Sequence, residues 1–221
     1  MDFPLIFPDR ARLYKNVPKT AIYAHSSPTK RQKELFVAQV DSITWAYKLS
    51  TETANLPQGQ RVKELQVFNV QLKGRDLDEE VLNVVDRSIP SPILYVIRGE
   101  GEVEYASAYK RQSRSDRSEL VISKPFFSGR FPEGSTAQPM PVALNLEALY
   151  HRLLENLIGL ARRPGETMDH LVERAERVAS LKKEAALLNV KIDRERQFNR
   201  KVDMNRELKS LIKKIEENCR E

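Results

Sequence analysis

The side chains closest to a recognisable chemistry are acidic groups beside two predicted strands. Asp41 lies before the first of these strands, and Glu64 and Gln66 lie on the second, separated by one residue. Metal-dependent nucleases hold Mg²⁺ with carboxylates from adjacent strands, because a hard ion prefers oxygen ligands near the substrate phosphates. In a common nuclease pattern a lysine follows the strand acid by two residues, where this chain has Gln66. A Mg²⁺-dependent nuclease using Asp41 and Glu64 is one hypothesis, and a solvent-facing Glu64 is the simpler one.

Histidine and cysteine give no second catalytic or metal-binding pattern. His25, His151 and His170 are far apart, and none has a His or Cys partner at ligand spacing. Cys219 is the only cysteine, which excludes an intrachain disulfide and a thiolate zinc site. We therefore expect no metal and no cofactor, and we favour a non-enzymatic protein.

Basic and aromatic residues on a predicted hairpin suggest a surface that binds nucleic acid. Lysine and arginine would contact phosphates there, while tyrosines would stack on bases or pack on a partner. The alternative is an ordinary sheet face with charged loops. The residues of this candidate surface are Lys73, Arg75, Tyr105, Tyr109, Lys110, Arg111, Arg114 and Arg117.

The elements that would position these residues belong to an α+β domain. Alternating apolar residues predict strands, and apolar residues at helical spacing predict two helices packed on them. We expect a mixed or antiparallel sheet of about five strands. The predicted strands are 43–49, 62–73, 93–98, 103–111 and 120–127, and the predicted helices are 27–40 and 77–88.

The chain divides by composition into three parts. Residues 1–126 form the predicted α+β domain, and residues 127–142, rich in proline and glycine, form a linker or surface loop. Residues 143–221 form a helical C-terminal region, which we expect to fold as a hairpin. Its second helix, 167–219, contains no proline or glycine, and at 1.5 Å per residue it would be roughly 80 Å long.

Apolar residues in this long helix recur at steps of four and three, which is the spacing of a coiled coil. The blocks 181–192, 198–205 and 208–219 are joined by slips of about three residues, as in a stammer. A helix that meets different partners along its length would tolerate such slips. Asn205 would either set the register of that contact or be half-exposed without such a role. The residues expected to bind a partner are Leu188, Ile192, Phe198, Val202, Asn205 and Ile212.

Composition and charge describe a globular chain with a strongly charged surface. The 221 residues are 40% hydrophobic and 31% charged, with a net charge of +6 and a pI near 9.4. This balance permits contact with nucleic acid without requiring it. The chain contains no apolar run of membrane-spanning length and no signal-peptide pattern at its start. We therefore expect a cytoplasmic protein.

Three segments resemble an uncharacterised bacterial and archaeal domain-of-unknown-function family. The segments are TWAYKLSTETANLPQGQRVKELQVFNVQLK, VLNVVDRSIPSPILYVIRGEGEVEYASAYKR and RERQFNRKVDMNRELKSL. The resemblance covers roughly residues 35–211. It implies a genomic context beside superfamily-two helicases and DNA methyltransferases, in restriction-like and antiphage gene clusters. It attaches no catalytic role to any residue.

Together these observations favour an accessory or assembly subunit of a DNA-processing or antiphage defence complex. Its C-terminal helix would dock on a helicase, a methyltransferase subunit or a second copy of the chain. The alternatives are the nuclease described above and a freestanding nucleic-acid-binding protein, whose affinity would fall steeply with salt.

Overall fold

The computed structural model describes residues 3–113, 116 and 119–220. The chain forms two units, Met1–Ile158 and Gly159–Glu221. The first contains a sheet with helices on it, and the second is helical. The mixed α+β architecture predicted from the sequence is confirmed. None of the helices in the described ranges has an apolar stretch long enough to cross a bilayer.

The first unit is built on a mainly antiparallel sheet. Its strands are β2 (Arg12–Asn16), β3 (Val40–Leu49), β4 (Leu65–Leu72), β5 (Ile93–Gly99), β6 (Glu102–Gln112), β7 (Leu120–Phe127) and β8 (Phe131–Pro132). Their order is β2-β3-β4-β5-β6-β7, with β8 paired to β6. Among the described strands of this sheet only β4 and β5 run parallel, and helix α4 (Glu79–Ser88) connects them, since parallel neighbours require such a crossover. A separate two-stranded pair joins β1 (Leu5–Ile6) to β9 (Gln138–Pro139).

Helices α1 (Lys19–Ser26), α2 (Lys30–Gln39) and α4 (Glu79–Ser88) pack on one face of this sheet and form its main core. Phe36 of α2, Val81 of α4 and Tyr95 of β5 are fully buried in this cluster. Thr29 begins α2 with a capping box to Gln32, which satisfies backbone donors at the helix start. The helices of this unit are α1 (Lys19–Ser26), α2 (Lys30–Gln39), α3 (Thr51–Ala54), α4 (Glu79–Ser88) and α5 (Leu146–Ile158).

The opposite face of the sheet is covered in part by the segment that precedes β2. The Phe3 ring lies 4.6 Å from the Tyr105 ring, and the Phe7 ring lies 4.8 Å from the Tyr47 ring. The buried Tyr105 hydroxyl accepts a hydrogen bond from the Leu5 backbone N–H at 3.1 Å. The proline-rich start of the chain is therefore part of the fold.

Helix α5 lies with the first unit, although the sequence assigned residues 143–221 to one helical region. The division between the units falls after Ile158. The Tyr150 hydroxyl accepts from the Lys110 backbone N–H at 2.9 Å and donates to the Ala108 carbonyl at 2.6 Å. These groups flank a register shift in the β6–β7 pairing, so α5 supplies hydrogen bonds that the strand partner does not.

The second unit is a hairpin of two helices, α6 (Met168–Arg194) and α7 (Phe198–Cys219). The prediction of one continuous helix over 167–219 is therefore wrong, because the chain leaves helical geometry at Glu195–Gln197. The break coincides with the slip between the first two apolar blocks. Reversal allows α7 to cover the buried seam of α6, formed by Ala185, Leu188 and Ile192.

Candidate functional site

A cleft lies at one end of the sheet, where β3 and β6 end and β4 and β5 begin. It consists of two adjoining cavities of about 490 and 500 Å³ that share Lys63, Glu64 and Ser91. We call it the strand-end cleft. The rest of its lining is Lys48, Ser50, Thr51, Glu52, Thr53, Gln58, Gln60, Arg61, Val62, Pro90, Pro92, Lys110, Arg111, Gln112 and Leu120.

Glu64 is the hydrogen-bonding centre of the cleft. Its Oε2 lies 2.7 Å from Lys48 Nζ, and its Oε1 accepts from Gln66 Nε2 at 2.7 Å and from Ser91 Oγ at 2.9 Å. Gln66 in turn accepts from Trp45 Nε1 at 2.7 Å. The network ties β3, β4 and the start of β5 together, so Glu64 fixes the floor of the cleft.

The environment of Glu64 favours its charged form. Burial raises the pKa of this carboxyl, but hydrogen bonds from Lys48 and Ser91 outweigh burial and hold the pKa below its ordinary value. A general base works best with a pKa near the operating pH, and the oxygens of Glu64 are already occupied by donors. Glu64 is therefore suited to positioning its neighbours and poorly suited to accepting a substrate proton.

The structure does not bring Asp41 and Glu64 together. The β3–β4 register pairs Val40 with Leu72 and Leu49 with Leu65, which places Asp41 and Glu64 at opposite ends of the two strands. No group of three acidic, histidine or cysteine side chains within the described residues can hold a metal ion. The shared Mg²⁺ site considered from the sequence is therefore not formed.

Three residues predicted to lie on a nucleic-acid surface are buried instead. Tyr105 is 3% exposed, Tyr109 and Lys110 are each 6% exposed, and Tyr109 packs against Tyr150 at 6.3 Å between ring centroids. The expectation of exposure is wrong because β6 is an interior strand, paired with β5 and β7 and covered on both faces. Neither tyrosine can stack on a base in this conformation.

Lys110 forms a buried ion pair that the sequence analysis missed. Its Nζ lies 2.9 Å from Asp86 Oδ1 and donates to the Asp86, Ile89 and Ser91 carbonyls at 3.1, 2.7 and 3.0 Å. Burial lowers the pKa of Lys110 and the Asp86 charge opposes that shift. A cation is favourable at a helix C-terminus, so Lys110 caps the end of α4. The sequence feature that could have indicated this pair is Asp86, which lies on an otherwise apolar face of α4.

The remaining cations of the predicted surface do not form one edge. Lys73 donates to the Val37 carbonyl at 2.8 Å, and Arg75 pairs with Glu102 at 3.1 Å. Both follow the end of β4, whereas Arg111 lies near the end of β6, at the opposite end of the sheet and in the strand-end cleft. Arg114 and Arg117 lie outside the described residues.

The residues predicted to bind a partner divide into two groups. Leu188 and Ile192 are 7% and 6% exposed, in the seam between α6 and α7. In contrast, Phe198 is 79% exposed and Ile212 is 43% exposed. Val202 is half-buried.

The exposed members recur on one side of α7. Phe198, Asn205 and Ile212 are seven residues apart, and seven residues are close to two helical turns, so they fall on one stripe together with Val202. Asn205 is exposed, and its Nδ2 donates to the Lys201 carbonyl of its own helix at 2.7 Å. We call these four residues the α7 stripe. It lies beside the seam residues Met204, Leu208, Leu211 and Ile215.

Two arginines hold the ends of the hairpin together. Arg174 of α6 makes a bidentate pair with Glu166, at 2.8 Å for both bonds, and donates to the Asn218 carbonyl at 2.8 Å. Arg163 donates to the Glu217 carbonyl at 2.8 Å. Both therefore satisfy carbonyls at the end of α7, where cations are favourable. The stripe is presented by a helix fixed at its far end.

Comparison with known proteins identifies one family. Its profile, described as a domain of unknown function, DUF4391, matches residues 5–215. No curated protein and no solved structure matches the chain.

Proposed function

We propose, from the premise that this chain belongs to the DUF4391 family, that it is a non-enzymatic accessory subunit. It would assemble into a cytoplasmic DNA-processing or antiphage defence complex, with a helicase or methyltransferase as the partner. Docking would use the C-terminal helices. The observation that carries the proposal is the large exposed aromatic ring of Phe198 on the α7 stripe.

Four of the large exposed apolar side chains in the described residues lie on this hairpin. Besides Phe198 and Ile212, the α6 residues Leu187 and Val190 are 57% and 47% exposed. Single exposed apolar residues are normal, whereas apolar residues that adjoin one another on one face, as on the α7 stripe, are typical of an interaction surface. Burying a Phe or Ile side chain contributes about 1.5–3 kcal/mol, which is enough for these residues to act as anchors of an interface.

The stripe favours a protein partner that supplies an amphipathic helix. An apolar helix face is recognised through anchors at helical spacing, and the stripe provides three apolar ones in Phe198, Val202 and Ile212. Basic residues beside it favour acidic residues on the partner. These are Lys201, Arg206, Lys209 and Lys213.

The test is co-expression with any helicase or methyltransferase found to be encoded beside this chain's gene, followed by affinity purification. Phe198→Asp combined with Ile212→Asp should reduce recovery of the partner at least tenfold, because each charge would have to be buried on assembly. The matched control is Ser210→Asp, an exposed position on α7 outside the stripe. Circular dichroism should show the same helix content in all three proteins.

Three results would overturn the proposal. The first is recovery of an intact complex with the double variant, and the second is no association of either partner with the wild-type chain. The third is a wild-type homodimer that becomes monomeric in the double variant, measured by light scattering. That result would assign the stripe to a second copy of this chain. Leu188 and Ile192 are unsuitable for the test because their replacement would disrupt the hairpin seam.

A further inference from the structure

We propose that the strand-end cleft binds the phosphate groups of a polynucleotide, with Arg61 and Lys63 as the principal contacts. This inference is independent of the docking role of α7, because the cleft belongs to the first unit and its test uses the chain alone. It also differs from the surface predicted on the β6 hairpin, whose tyrosines are buried.

The cleft carries an excess of positive charge after its internal pairs are considered. Lys48 is neutralised by Glu64 at 2.7 Å, and Lys110 is neutralised by the buried Asp86 at 2.9 Å. Arg61 and Lys63 remain in the lining, opposed by Glu52. Arg61 and Lys63 form no ion pair with the described residues, and both are exposed. Lysine and arginine in such a setting attract phosphate groups.

The backbone that carries these two cations is held in place. Val62, between them, is 4% exposed, and its carbonyl accepts from the Gly59 N–H at 2.9 Å. The Arg61 N–H donates to Glu147 Oε2 of α5 at 3.1 Å. Because Val62 is anchored, Arg61 and Lys63 stay at the rim of the cleft. Binding of a phosphate would therefore restrict these two side chains, while the backbone of the segment is already ordered.

The lining chemistry favours a phosphate backbone over a buried base. None of the described lining residues is aromatic, whereas sites that hold single-stranded bases usually stack them on aromatic rings. The walls provide hydroxyl and amide groups instead, including Ser50, Thr51, Gln58 and Gln60. Two adjoining cavities of about 490 and 500 Å³ offer room for successive backbone units. A free nucleotide carries the same phosphate chemistry and is distinguished below.

The experiment measures fluorescence anisotropy of a labelled single-stranded DNA of about 20 nucleotides with the full chain. Two phosphate contacts to single-stranded DNA predict a log–log salt slope of about −1.4. Affinity should therefore fall about sevenfold between 50 and 200 mM salt. Arg61→Ala combined with Lys63→Ala should lower affinity about tenfold at the lower salt and reduce the slope by about 1.4.

The control is Lys182→Ala combined with Lys183→Ala, which removes the same charge from exposed positions of α6. Retained affinity in this control, with loss in the cleft variant, supports the proposal. Equal losses in both variants would show that binding follows net charge alone and would overturn it. So would the absence of binding by the wild-type chain at low salt.

A competition arm separates the two sources of phosphate. Unlabelled oligonucleotide should displace the probe, whereas ATP and inorganic pyrophosphate at the same phosphate concentration should not. Displacement by ATP as effective as by oligonucleotide would overturn the assignment to a polynucleotide and identify a nucleotide site. Unchanged thermal unfolding of the cleft variant would confirm that its effect is local, since both replaced side chains are exposed.

Discussion

Individual charged residues act in this protein mainly by holding elements together. Glu64 joins three segments at the floor of the strand-end cleft, Lys110 caps α4 from inside the core, and Arg174 joins α6 to the end of α7. Buried ion pairs are costly to break because one charge is left without compensation. The sequence suggested a metal-binding or solvent-facing role for Glu64 and a nucleic-acid-binding role for Lys110. It suggested no role for Arg174.

Glu166 gives the clearest pH dependence. Hydrogen bonds from Arg174 are the main cause that lowers its pKa from 4.5 to about 2. The stability contributed by its carboxylate is therefore present above about pH 4.5 and is lost as the pH falls toward 2. Glu166→Gln should lower the free energy of unfolding by about 2 kcal/mol at pH 7, a value within the range for hydrogen bonds to charged groups. That destabilisation should shrink toward zero as the pH falls to about 2 and below, because the wild-type carboxyl takes up a proton in that range.

Hydrogen exchange of α6 and α7 amides at a series of pH values measures this cost locally. The control is Glu217→Gln, because Glu217 is 54% exposed and lies 3.9 Å from Lys213. Exposed pairs contribute at most about 1 kcal/mol, so this variant should change protection little at any pH. A cost of Glu166→Gln that is independent of pH would contradict the assignment.

At the scale of elements, the sequence predicts β3–β7 and misses β2, at one edge of the sheet, and the two-residue strands β1, β8 and β9. The strands β3–β7 carry apolar residues at a period that matches the pleat. In contrast, β2 is an edge strand of mostly exposed residues, so no alternation marks it. The strand-end cleft was not predicted because its lining is scattered between residues 48 and 120, and only the sheet register brings these positions together.

The helical reversal shows a different limit of sequence interpretation. A slip in the apolar repeat is compatible with a stammer in a continuous helix and equally with a turn between two helices. No proline or glycine marks Glu195–Gln197, so local preference does not decide between them. The deciding factor is non-local, namely the match between the seam of α6 and Met204, Leu208, Leu211 and Ile215 of α7.

Adjacent residues of α7 provide a matched test of that seam. Leu211 is 5% exposed in the hairpin core, whereas its neighbour Ile212 is 43% exposed on the stripe. Leu211→Ala should lower the stability of the hairpin by about 2–3 kcal/mol. This is the lower end of the range for buried leucines, because the hairpin core is small. Ile212→Ala should cost less than about 1 kcal/mol. Hydrogen exchange in α6 is the measurement, and similar effects of both variants would contradict the observed face of α7.

At the scale of the whole molecule, the two units divide the proposed roles. The first unit contains the sheet, its core and the strand-end cleft, and the second contains the α7 stripe. Each unit has its own hydrophobic cluster. A variant in one unit can therefore be tested for an effect on the proposed role of the other unit. The same division predicts that the smallest fragment able to fold ends after α5.

A fragment of residues 1–158 should therefore unfold cooperatively, whereas a fragment of residues 1–142 should not. The shorter fragment lacks α5, which contributes five buried leucines and the Tyr150 hydroxyl that completes the β6 hydrogen bonds. Buried side chains contribute about 1.5–3 kcal/mol each, so their loss is comparable with the whole stability of a domain, about 5–15 kcal/mol. Urea titrations followed by Trp45 fluorescence test both fragments, since Trp45 packs against the main core. Cooperative unfolding of the shorter fragment at the same midpoint would show that α5 is dispensable and would move the boundary back toward residue 142.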